Sequence, residues 1–85
     1  MIEVRNPGAL AATVEVDLER FRHASTLVRM PAALSELART LGKVAAMLRE
    51  AEARGQAVDL GDEVVRLIQQ FRSALATMGG APARA

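Results

Sequence analysis

The sequence predicts an all-α protein, a small three-helix bundle or a helical hairpin with an N-terminal helix, and three observations carry that expectation. Apolar residues recur at intervals of three and four over three long segments, the period of a helix that buries one face. The apolar half of the composition is mostly Ala, Leu, Val and Met, with two Ile, two Phe and no Trp or Tyr, and such side chains suit close helix packing. Breaks at Pro31 and at GQAVD, residues 55–59, divide the segments.

Residues 1–5 read as an extended arm. Asn6 then suits an N-cap and Pro7 the first helical position, followed by Leu10, Val14, Leu18, Phe21, Ser25 and Val28 along one face of a helix over about 7–29. The stretch ATVEVDLERF also carries a strand pattern, because Val14, Val16 and Leu18 alternate with Glu15 and Asp17. Pairing IEV with TVEVDL across NPG gives the alternative, an N-terminal β-hairpin followed by two helices. Helix is preferred: the Ala-rich connector favours it, the two runs differ in length, and a lone hairpin needs further packing to be stable.

Pro31 biases Met30 away from helix and starts the second segment, over about 32–54. Leu34, Leu37, Leu41, Val44, Leu48 and Ala51 alternate spacings of three and four, the seam of a helix that packs at a shallow angle. Gly42 interrupts this helix, and close approach of a neighbouring helix is the expected reason. Gly55 suits a helix C-terminus with positive φ and Asp59 the next N-cap, with Asp62 and Glu63 in the first turn of a helix over about 60–78. Leu60, Val64, Leu67, Ile68, Phe71, Leu75 and Met78 form a wider stripe, expected to meet two partners at once, with Phe71 the largest core side chain. Residues 79–85, rich in Gly, Pro and Ala, read as a frayed tail.

Eighty-five residues make one domain, placed at 6–78, and a chain this small buries only about 60–65% of the surface it exposes unfolded. Without cysteine, no disulfide or thiolate metal site supplements the core, so self-association is expected to complete it. Eleven basic and ten acidic residues give a net charge of +1, with no acidic or basic tail that would imply a polyanionic or polycationic partner. Ten of eleven basic residues are Arg, which with the Ala content points to a GC-rich, bacterial genome rather than to a mechanism. No apolar run is long enough to cross a bilayer, and the N-terminus has no basic region followed by an apolar stretch, so a cytoplasmic location is expected.

Catalytic chemistry has few carriers. His23 is the only histidine, and Ser25, two positions on, falls on a different helix face, so no nucleophile and base pair forms. Neither metal-ligand spacing nor a phosphate-binding glycine pattern is present; no enzyme activity, metal or cofactor is expected, and Asp59, Asp62 and Glu63 are read as helix-capping charge. Residues 26–37, TLVRMPAALSEL, resemble in outline the strand, proline and first helix of ribbon-helix-helix repressors. The resemblance implies a dimer whose paired strands enter the major groove. That family's first helix is short, whereas here the periodic run continues to about residue 54, and no base-contacting residue is carried over. Arg20, Arg22 and Arg29 form a looser candidate anion contact, interleaved with Glu15, Asp17 and Glu19.

What remains in quantity is apolar helix surface. The expected function is a non-enzymatic, self-associating helical interaction module: an adaptor, assembly subunit or small chaperone. Its seam is Leu34, Leu37, Leu41, Val44 and Leu48 against Val64, Leu67, Phe71 and Leu75. The alternative is a small dimeric DNA-binding regulator or antitoxin-like protein.

Overall fold

The computed structural model describes residues 2–78, and the expected tail at 79–85 lies outside them. The chain is mostly helical: β1 (Ile2–Val4), α1 (Pro7–Ser25), α2 (Ala32–Ala53), β2 (Val58–Leu60) and α3 (Asp62–Met78).

The start of α1 follows its sequence signal. The Asn6 side chain accepts from the Ala9 N–H at 3.3 Å, and Pro7 occupies the first turn. Residues 12–18 are therefore helical, and the alternative hairpin through TVEVDL does not form. The helix ends at Ser25, four residues before the expected boundary at 29. Two hydroxyls end it, Ser25 Oγ donating to the Arg22 carbonyl at 2.8 Å and Thr26 Oγ1 to the His23 carbonyl at 2.6 Å. The chain then turns through residues 26–31, so the strand implied there by the repressor resemblance is absent, and Val28 leaves the apolar face it was assigned to.

Pro31, with φ −60° and ψ 146°, sets α2 off at Ala32. At the other end Gly55 takes φ +69°, its N–H donating to the Glu52 carbonyl and the Gln56 N–H to the Ala51 carbonyl, a paired closure that satisfies the last free carbonyls. The next residues depart from expectation. Ile2–Val4 is not a loose arm: it pairs antiparallel with Val58–Leu60, Ile2 opposite Leu60 and Val4 opposite Val58. Asp59 thus lies in a strand and does not cap α3; the Gly61 carbonyl takes the cap position, accepting from the Val64 and Val65 N–H groups.

α1 and α2 form an antiparallel hairpin, the most extensive pairing in the molecule, and α3 packs across both. At the hairpin's open end the Gly8 N–H donates to Glu52 Oε1 at 3.0 Å, and a Cβ at Gly8 would meet that side chain at 2.8 Å. Close approach therefore belongs to Gly8. At Gly42 a Cβ would meet nothing within 4 Å, which corrects the reason expected for that glycine.

The core joins Val14, Leu34, Leu41, Ile68, Phe71 and Leu75, with Ala38 and Ala45 filling the narrow contact. Phe71 is fully buried and stacks at a tilt on Phe21, ring centroids 5.7 Å apart. The α2 stripe is broader than the expected seam, because Ala38 and Ala45 are buried alongside Leu34, Leu41, Leu48 and Ala51 while Leu37 and Val44 lie half-buried at its edge. In α1 the buried face is Pro7, Ala11, Val14 and Asp17, with Leu10, Leu18 and Phe21 beside it; Ser25 is exposed.

Candidate interaction surface

Most of the apolar seam is spent inside the chain. Leu34, Leu41, Leu48, Phe71 and Leu75 are buried, and Leu37, Val44, Val64 and Leu67 pack half-buried against them. The large apolar side chains left outside the core lie elsewhere.

Their most prominent pair is at the corner between α1 and α2. Leu27 is 71% and Val28 54% exposed, adjacent in sequence on a turn whose backbone is held by the Leu27 and Val28 N–H groups donating to the Ala24 carbonyl. Met30 points the other way and packs on the core. Three residues after Val28 the chain enters a groove of about 690 Å³, lined by Pro31, Ala33, Leu34 and Leu37 on the α2 side and by Ala74, amides, hydroxyls and Arg66 on the α3 side. The corner and the groove place apolar side chains beside polar groups at the junction of α1 and α2. Nothing in the sequence marks Leu27 as exposed, since a leucine between two helices reads equally well as a core anchor.

The candidate anion contact is dispersed. Arg22 pairs with Glu19 on its own helix at 2.6 Å, while Arg20 and Arg29 are exposed and make no ion pair among the described residues. His23 is exposed in the last turn of α1, where a basic side chain favours the helix dipole. No group of His, Cys, Asp or Glu among the described residues could hold a metal ion, and none of the described helices is long and apolar enough to cross a membrane.

Two ion pairs fix helix positions. Glu15 and Arg49 join α1 to α2 with two hydrogen bonds, Arg49 Nε to Oε2 at 3.0 Å and Nη2 to Oε1 at 2.7 Å. That hydrogen-bonded pairing with Arg49 lowers the Glu15 carboxyl from its ordinary range and raises the Arg49 guanidinium. Asp17, only 4% exposed, is the one charged residue buried among the described residues, and Arg72 Nε of α3 donates to its Oδ2 at 3.2 Å. Sequence reading passed over this pair. The signal was present in the spacing, for Asp17 stands three residues after Val14 and four before Phe21, on the face that packs inward.

Compared with protein-family models, with curated proteins and with solved structures, the chain matches none.

Proposed function

We propose that the chain is a non-enzymatic helical interaction module that associates with itself through the α1–α2 corner and the adjoining groove, and serves as an adaptor, assembly subunit or small chaperone. The observation that carries this reading is the exposure of Leu27 and Val28 together, beside an apolar groove, in a chain whose other large apolar side chains are mostly withdrawn into its core. An apolar pair held on an ordered turn costs little entropy to dock, and transferring it from water supplies the driving force. The chain offers no competing chemistry of comparable clarity: its lone histidine is exposed and Arg22 is tied to a neighbouring carboxylate.

The test is the double variant Leu27→Ser/Val28→Ser. Both side chains lie outside the core, so helicity by circular dichroism stays at the wild-type level while the assembly mass falls to that of a single chain. A variant that keeps the wild-type assembly mass places the contact elsewhere. A DNA-binding regulator would instead bind duplex with an affinity that falls steeply as salt rises, and would lose it on replacement of Arg20 and Arg29.

A further inference from the structure

A second groove, of about 540 Å³, lies between the small sheet, the start of α1 and α3. Its apolar lining comes from four elements, Ile2 of β1, Leu10 of α1, Leu60 of β2, and Val65 and Ile68 of α3, with Asn6, Thr13 and Gln69 as polar neighbours. Arg72 is the single ionised side chain among the described residues that line it. That guanidinium is held in place from the core side, its Nε donating to the buried Asp17 carboxylate at 3.2 Å. The terminal Nη atoms make no hydrogen bond among the described residues, although half of the side chain is exposed. Those two nitrogens are an edge by which a guanidinium engages a carboxylate with two parallel bonds.

We propose that this groove binds a small amphiphile with a carboxylate head and an unbranched apolar tail, the head on Arg72 and the tail along Ile2, Leu60 and Val65. A buried carboxylate that orients an exposed arginine beside an apolar trough is a prearranged contact for such a molecule, because little ordering remains to be done on binding. Val65 precedes Arg72 by seven residues of helix, a rise of about 10 Å, the reach of an extended octanoate. Asp17 does not compete for the same edge, since it engages Nε and leaves the Nη atoms to the ligand. The site stands apart from the proposed association surface, whose groove shares only Gln69 with this one.

The experiment titrates the ¹⁵N-labelled full chain with octanoate, with octanol and with acetate, following amide shifts. Octanoate binds saturably, shifts Ile2, Leu10, Val65 and Arg72, and binds at least about tenfold tighter than octanol, the factor that one charge-assisted contact supplies. Acetate, without a tail, does not saturate. Ile2→Thr, which keeps a β-branched strand residue at a position 43% exposed, retains the fold by circular dichroism and weakens octanoate severalfold, while acetate still does not saturate. Equal affinity for octanol and octanoate would overturn the proposal by removing Arg72 from recognition. Equal affinity for acetate, shifts confined to Leu34, Leu37 and Ala74, or no saturable shift at all would overturn it too.

Discussion

Asp17 and Glu15 sit two positions apart on α1 and do different work, because one faces the core and the other its edge. Asp17 is buried against α3 with Arg72 as its charged partner, so Arg72→Gln leaves a carboxylate without its counter-charge. The variant is expected to lose about 1–3 kcal/mol in urea unfolding, discounted because half of the arginine already faces water. An unchanged midpoint would show that solvent satisfies Asp17. Glu15 has an exposed, hydrogen-bonded partner in Arg49 that holds its carboxyl below the ordinary value of 4.5. A carboxyl lowered by folding adds stability above its unfolded value, and that addition is lost as pH falls through the folded value. The urea midpoints of wild type and Glu15→Gln should therefore differ near pH 7 and draw together as acidification protonates Glu15 in the folded state, in low salt. The alternating reading of residues 12–18 puts Glu15 and Asp17 together on its polar half; the helical spacing separates them, because Asp17 shares the face of Val14 and Phe21. Their partners, Arg49 and Arg72, are 34 and 55 positions away, and no local pattern announces them.

At the scale of elements, the glycine within α2 and the one just past its end act in opposite senses. Gly55 supplies φ +69° to the turn, so Gly55→Ala is expected to cost about 1 kcal/mol. Gly42 lies inside the helix with open space where a Cβ would go, so Gly42→Ala should gain roughly 0.5–1 kcal/mol. Thermal melts of the two variants check both signs, and a loss at Gly42 would mean that the helix needs its freedom there. Helices were readable because their signals are local: Asn6 and Pro7 start α1, Pro31 starts α2, and Gly55 closes it. The sheet was not, because Ile2–Val4 and Val58–Leu60 are three residues each and meet across more than fifty positions. Asp59 was misread for the same reason, an N-cap residue type drawn into a strand whose partner lay at the far end of the chain. The buried alanines Ala11, Ala38 and Ala45 escaped the stripes since alanine is tolerated on either helix face.

For the whole molecule, one question decides the account: what happens to the apolar surface that the fold leaves outside. The chain exposes 5590 Å² in all, and an interface of ordinary size takes about 800 Å² from each partner, roughly one-seventh of that area. The corner at Leu27 and Val28 with its groove is the centre proposed for such a patch, and Val16 and Met47 add apolar exposure on α1 and α2. Periodicity could not assign these roles, because the same spacing serves a helix packed on its own chain and one packed on a neighbour. Leu41, Leu48 and Phe71 went to the chain's own core, which moved the candidate contact from the expected seam to the corner. Light scattering of the wild-type chain over about a hundredfold range of concentration tests this most directly, because self-association follows mass action. Self-association predicts at least twice the 9.1 kDa chain mass at the concentrated end, and a mass of 9.1 kDa at every concentration would contradict it.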